Sequence, residues 1–246
     1  MEATEQRSPG APDNRTYYDE FAGHYDDRRA RGYHKLIDDQ AACLVRRVGD
    51  GKTLLEVGCG TGLILERVAK FARRAEGVDV SPGMVEHARR RGLDVRVADA
   101  TSLPYADAEF DVAFSFKVLA HVPKFDEALK EMLRVVRPGG HIVFDIYNRH
   151  SLRYAMKRLF GPKHTSQRFA EDAILTRFLT PNEMNPRLPA NTRLVSRSGI
   201  RIATPHAALL ALPALGADWE RIEWGLMDPP LASFAGFVVY TLQTVC

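Results

Sequence analysis

Between residues 53 and 147, short apolar runs of strand character alternate with amphipathic helical segments, and few folds accommodate that alternation. TLLEVG (53–58), AEGVDV (75–80), LDVRVADA (93–100), FDVAFSF (110–116) and HIVFDIY (141–147) read as strands. LILERVAKFARR (63–74), VEHARRRG running into Gly92, and FDEALKEMLRVV (125–136) read as helices, the last stopping at Pro138-Gly139-Gly140. Ser81-Pro82 places a capping hydroxyl and a proline where a helix should begin. The 110–116 run is apolar almost throughout, as in a strand buried on both faces. Strands alternating with helices predict an α/β protein, a parallel sheet with helices on both faces.

The flanks are less regular. Residues 1–15 read as a flexible tail, and two helical patterns, roughly 13–31 and 33–49, precede the first strand. After the fifth strand, 149–180 is basic and helical in pattern, and Thr180-Pro181-Asn182-Glu183 opens a short helix. Residues 193–203 and 235–244 have strand character, while 149–180 and 204–234 read as lid material around the end of the sheet. A chain of 246 residues, 45% hydrophobic and 26% charged, has a core large enough for one domain with a small lid. Those fractions exclude collagen-like, coiled-coil and wholly disordered classes. No apolar run reaches the roughly 18 residues of a membrane span, since Pro213 interrupts the longest, at 207–217. Cys43, Cys59 and Cys246 are too scattered for a disulfide framework or a metal site, so the expectation is a reducing, cytoplasmic setting and no metal.

The turn after the first strand, Glu56-Val57-Gly58-Cys59-Gly60-Thr61-Gly62, lets backbone amides approach a ligand closely. It is not a dinucleotide fingerprint, because the sixth position from Gly58 is Leu63. Nor is it a phosphate-binding loop, because no Gly-Lys-Ser/Thr follows. The turn suits a ligand without a pyrophosphate. Asp79 ends the second strand, where a carboxylate can accept both hydroxyls of a ribose. Asp111 lies inside a buried strand pattern and reads as structural, and Cys59 as a small residue in the loop.

In these features the sequence resembles the class I S-adenosylmethionine-dependent methyltransferases, most nearly the ubiquinone/menaquinone-type enzymes acting on small molecules. LLEVGCGTG, GVDVSPGM, ADATSLPYADAEFDVAFS and ALKEMLRVVRPGG fall in that family's order over about 52–147. The resemblance implies a Rossmann-like, mostly parallel seven-stranded sheet with the last strand antiparallel and a small helical lid, the methyltransferase domain spanning 16–246. It implies S-adenosylmethionine as cofactor. Asp79, beside Val80, would take the ribose, and Asp99 the adenine amino group with backbone from Ala100. Met84 would pack on the adenine, and Gly58, Gly60 and Gly62 would line the methionine portion. Glu56 would orient the loop. Relatives also fold a "Tyr-Asp" helix over the cofactor, so a hydroxyl from Tyr17, Tyr18 or Tyr25 would meet its carboxylate, unless these rings only form an apolar stripe on the sheet.

Methyl transfer from a sulfonium is an in-line displacement in which alignment and exclusion of water matter most. A general base is needed only where the acceptor is protonated. In SFKVLAHV (115–122), the loop where the acceptor would lie, His121 matches a histidine of many relatives, as a base or as a packing residue. Phe116 and Lys117 flank the same mouth, Lys117 either holding an anionic acceptor or, as the preferred reading, standing as a solvated side chain. Residues 149–170 contain Arg149, Arg153, Lys157, Arg158, Lys163 and Arg168 and no acid. They form either a solvated face or a grip for an anionic acceptor, a carrier-bound acyl group or a phospholipid surface. The apolar stretch 207–217 suits a hydrophobic acceptor. The expected partner is therefore a small molecule, anionic or hydrophobic. Nucleic acid is disfavoured despite ARRRG (88–92) and a formal charge of +3, because no nucleobase-methylase loop follows the fourth strand. A non-catalytic cofactor-binding protein is the remaining alternative.

Overall fold

The computed structural model describes residues 4–6, 14–27, 29, 31–160, 175–204, 210 and 216–245. Its centre is the expected alternation: β2 (Thr53–Val57), α3 (Leu63–Val68), β3 (Arg74–Asp79), α4 (Pro82–Arg90), β4 (Asp94–Val97), β5 (Phe110–Ser115), α5 (Phe125–Val135) and β6 (Val136–Asn148). These strands pair in parallel in the order β6-β5-β2-β3-β4. Every residue of β2 and β5 is buried, as in strands covered on both faces, including the polar Thr53, Glu56, Asp111 and Ser115. Helices cover both faces, giving two apolar clusters: Leu54, Leu65, Val85 and Val112 on one side, Leu55, Phe110, Leu129 and Met132 on the other.

The sheet is larger than seven strands. β8 (Thr192–Ile200) and β9 (Phe237–Thr244) are both antiparallel, β9 lying against β6 and β8 against β9. A further strand, β7 (Thr176–Leu179), lies within the stretch expected as lid, and runs parallel to β6 at Tyr147–Asn148, beyond the point where β5 stops. Against it, antiparallel, sits β1 (Thr4–Gln6), within the stretch expected as tail. Nine strands result among the described residues.

Before β2 come α1 (Asn14–Phe21), a 3-10 turn (Ala22–His24) and the long α2 (Gly32–Gly49). Late elements are α6 (Leu152–Phe160), α7 (Pro181–Met184), capped reciprocally by Thr180 and Glu183, α8 (Gly216–Leu226) and a 3-10 turn (Leu231–Phe234). Glu223 of α8 ties that region to β8: its carboxylate accepts the backbone N–H groups of Ile202, Ala203 and Thr204. Among the described residues no helix is long and apolar enough to cross a membrane.

Candidate functional site

All five central parallel strands end at one edge, and at that edge the loop after β2 opens into a cavity of about 350 Å³. Gly58 begins the loop at φ +80, where a Cβ would sit 2.4 Å from the Val118 methyls. Only glycine fits there, and the loop lies close against the segment after β5. The N–H groups of Gly58 and Cys59 both donate to the Val78 carbonyl, at 2.8 and 2.9 Å, fastening the turn to β3. Cys59 is buried against Gly77, and burial pushes its thiol well up, so it fills space and is not a thiolate.

Asp79 completes the loop. One carboxylate oxygen accepts the Gly60 N–H at 2.8 Å and the other the Ser81 N–H at 2.9 Å. Burial raises its pKa, while these amides act in the opposite direction. Ser81 caps α4 by accepting the Met84 N–H at 3.1 Å. Asp19 of α1 in turn accepts from the Ser81 hydroxyl at 2.5 Å and the Gly83 N–H at 2.9 Å, which holds the N-terminal segment across α4. Asp26 adds a second tie, to Thr61 and Arg91, both at 2.6 Å.

Of the residues singled out in the sequence, Tyr25, Glu56, Gly58, Gly60, Asp79 and Val80 line the cavity, as do Met84, Asp99, Ala100, Phe116 and His121. Asp99 also closes its own turn, accepting from the Thr101 amide and hydroxyl at 2.8 Å. Gly62 is not on the wall. At φ +85 it starts α3, and a Cβ there would meet Leu93 at 2.3 Å and Ala88 at 3.3 Å, so its task is close packing on α4. Tyr17 is also absent from the wall: it is buried, edge-on to Tyr18, and Tyr18 takes the lining position one residue on. Tyr18 is desolvated, which pushes its phenol well up.

His121 touches the cavity, yet both ring nitrogens are engaged. Nδ1 lies 2.7 Å from the Leu175 carbonyl, which can only accept, so the proton is on Nδ1. Nε2 then carries the lone pair and accepts from the Tyr147 hydroxyl at 3.2 Å. The histidine thus cross-links the loop after β5 to β6 and to the segment before β7.

Lys117 is not solvated. Its backbone is left-handed at φ +62, its N–H donates to Asp145 at 2.8 Å, and its ammonium pairs with Asp38 of α2 at 2.6 Å. Burial pulls its pKa down, but Asp38 and Tyr25 act against this and the net shift is upward. Asp38 is a site residue that the sequence reading passed over, although a carboxylate among Leu36, Ile37, Ala41 and Ala42 on a buried helix face was the available signal. Arg15 and Arg29 also reach the cavity, Arg29 stacking 3.9 Å over the Tyr25 ring.

Two residues of the basic stretch, Arg149 and Arg153, turn inward, whereas Arg158 is exposed. Arg149 pairs with Glu183, and Arg153 lies 4.9 Å from the rings of both Tyr147 and Phe237, so neither belongs to a solvated face. Lys163 and Arg168 lie outside the described residues. Asp111 accepts the Thr53 N–H at 2.8 Å and pairs with Arg137 at 2.6 Å at the opposite end of β5. Among the described residues no group of three potential ligands could hold a metal.

Residues 55–144 match the family described as "Methyltransferase domain". The chain is 34% identical over 119 residues to a probable S-adenosylmethionine-dependent methyltransferase of Mycolicibacterium smegmatis, covering 48% of this chain and 46% of that protein. It is 31% identical over 157 residues to a ubiquinone biosynthesis O-methyltransferase of Alkalilimnicola ehrlichii, covering 61% and 63%. It therefore spans about half to two thirds of the length of these relatives. Among solved structures, a methyltransferase from Thermotoga maritima described as a possible histamine N-methyltransferase superposes with a TM-score of 0.69 at 21% identity, over 93% of this chain and 99% of that one. That likeness shows the fold.

Proposed function

The stretch 55–144 is a class I S-adenosylmethionine-dependent methyltransferase domain, and from that premise we propose that the chain transfers a methyl group from S-adenosylmethionine to an O, N or C atom of a small organic acceptor. The observation that carries this reading is the single cavity wall on which the Gly58–Gly60 turn, Asp79 and Asp99 face Phe116, His121 and Pro123.

The residues present fit the cofactor. Gly58 leaves no room for a side chain beside the loop, and Asp79 offers a carboxylate with further lone pairs at the place where a ribose would present its hydroxyls. Asp99 and the Ala100 backbone would receive the adenine edge, with Val80 and Met84 on its faces. Tyr18 and Tyr25 would close over the amino-acid end. When bound, the cofactor supplies an electrophilic methyl group on a sulfonium whose departure needs no proton.

What remains for the protein is positioning. Phe116, Val122, Pro123 and Leu175 give an apolar lining that excludes water. Tyr147 and the Leu175 carbonyl fix the tautomer and orientation of His121. If the acceptor must lose a proton, Nε2 of His121 is the lone pair on offer, released as the Tyr147 hydroxyl turns aside.

The Arg89–Arg91 run supports a small acceptor over nucleic acid: Arg89 donates to the Val95 carbonyl, Arg90 pairs with Glu86, and Arg91 with Asp26 and Glu66. The test is calorimetry with S-adenosylhomocysteine, followed by donor turnover against a panel of phenols, amines and carboxylic acids. Micromolar binding and acceptor-dependent turnover are expected. Absence of binding by the wild-type chain overturns the reading.

A further inference from the structure

Arg153 of α6 is a half-buried cation without a counter-ion. Its Nη1 is buried and has no hydrogen-bond partner, and among the described residues Arg153 forms no ion pair. Its surroundings are aromatic: the guanidinium carbon lies 4.9 Å from the centres of both the Tyr147 and the Phe237 rings. Ring faces attract the charge, yet they offer no oxygen to a guanidinium N–H. Three other arginines around the end of β6 do have oxygen partners. Arg149 pairs with Glu183, Arg177 donates to the Val122 and Pro123 carbonyls, and Arg201 donates to the Thr204 carbonyl and the Tyr33 hydroxyl. Asp145 is close enough to feel the Arg153 charge, but it accepts the Lys117 N–H at 2.8 Å and forms no ion pair with the arginine. A buried donor left unused costs free energy, more so when it is charged. A cation held in place with a free N–H therefore points to an anion that arrives with a ligand.

We propose that Arg153 selects the methyl acceptor by pairing with a carboxylate that the acceptor carries. A guanidinium fork matches the two oxygens of a carboxylate, and the pair is strong where water is scarce. Tyr147 connects this arginine to the site. Its ring contacts Arg153, and its hydroxyl meets Nε2 of His121, which lines the cavity. An anion on Arg153 and a nucleophile at His121 are thus separated by the Tyr147 ring, so the expected acceptor has its reacting atom several bonds from its carboxylate. Arg153 itself is not on the cavity wall. The carboxylate reaches it as Tyr147 turns aside, the same movement that frees the His121 lone pair, so an acceptor without the anion lacks the means to hold that arrangement open.

The inference rests on the methyltransferase reading for what enters the site, and the experiment keeps the two apart. Thermal shifts of the full chain saturated with S-adenosylhomocysteine are recorded against benzoate, 3-phenylpropionate and octanoate, each beside its primary amide, at matched ionic strength. In the wild type at least one carboxylate is expected to bind about 10-fold or more tightly than its amide. In Arg153→Gln that preference should shrink to less than about twofold, and Arg153→Lys, which keeps the charge without the fork, should fall between. Unchanged S-adenosylhomocysteine binding by the variants certifies their fold. Wild-type protein that treats every acid like its amide, absence of binding included, overturns the proposal, as does a preference that survives in Arg153→Gln. Inorganic phosphate is the remaining arm: protection by phosphate that depends on Arg153 and equals that of the carboxylates assigns the arginine to a free anion and overturns acceptor selection. A wild type that does not bind S-adenosylhomocysteine sinks the methyltransferase reading instead, and the acid-against-amide comparison without nucleoside still decides the anion site.

Discussion

The backbone amide of Gly60 donates to the carboxylate of Asp79 across 2.8 Å, so the glycine turn and the tip of β3 form one rigid unit before any ligand enters. Preorganisation of this kind removes ordering cost from binding. Asp79→Ala removes both the loop's tether and the acceptor for the ribose hydroxyls. S-adenosylhomocysteine binding is expected to weaken by about 1–3 kcal/mol, read by calorimetry. An unchanged affinity would place the ribose elsewhere.

Asp19 makes a parallel test of the N-terminal cover. Its carboxylate serves the Ser81 hydroxyl and the Gly83 amide at the start of α4, and Asp26 holds the same segment to Thr61 and Arg91. Asp19→Ala should cost only about 1 kcal/mol of global stability, the usual scale of a lost helix-end contact. The local effect should be larger. Hydrogen exchange over 14–24 is expected to speed up, and the dissociation constant of S-adenosylhomocysteine to rise several-fold. Unchanged exchange in that segment would show that Asp26 alone holds it.

Much of this was legible in the sequence because the central strands are short segments, apolar in β2, β5 and β6, that alternate with amphipathic helical ones, and because local chemistry makes the tight turn at Gly58. What was not legible depended on partners distant in the chain. Thr176–Leu179 is four residues long with no alternation of its own, and becomes a strand only through β6 and β1. Lys117 reads as a solvated lysine until Asp145 holds its amide and Asp38 its ammonium. Arg149 and Arg153 look alike on a helical repeat, yet Glu183, Tyr147 and Phe237 draw them inward. Gly62 shares its motif with Gly58 but faces α4, a distinction that the spacing of glycines does not contain.

The Lys117–Asp38 pair is a buried contact on the wall, at 2.6 Å. With Asp38 1% exposed, removing the lysine strands a buried charge, which typically costs about 3–5 kcal/mol. Lys117→Met should lower stability on that scale in urea unfolding. Lys117→Met combined with Asp38→Asn should recover most of the loss, because no net charge is then left behind. A double variant as unstable as the single one would show that the strained turn at Lys117, and not its charge, holds this part of the wall.

Asp145 gives a pH signature of its own. Burial pushes its carboxyl from 3.8 up to about 6, while the Lys117 N–H and the charges of Lys117 and Arg153 act against the rise. Across that window the native state keeps a proton that the unfolded chain has released, so stability falls as pH rises and the loss is complete above about pH 6. Asn at this position retains a carbonyl oxygen for the Lys117 amide and has no proton to lose. The unfolding free energy of Asp145→Asn minus that of wild type should therefore increase between about pH 4 and pH 6, by no more than about 3 kcal/mol, and stay level to pH 8. His34, whose pKa burial lowers to about 4, titrates with the opposite sign, but it does so in both proteins and cancels in the difference. Urea titrations at several pH values measure that difference directly. A difference independent of pH would mean that Asp145 stays ionised in the folded protein throughout.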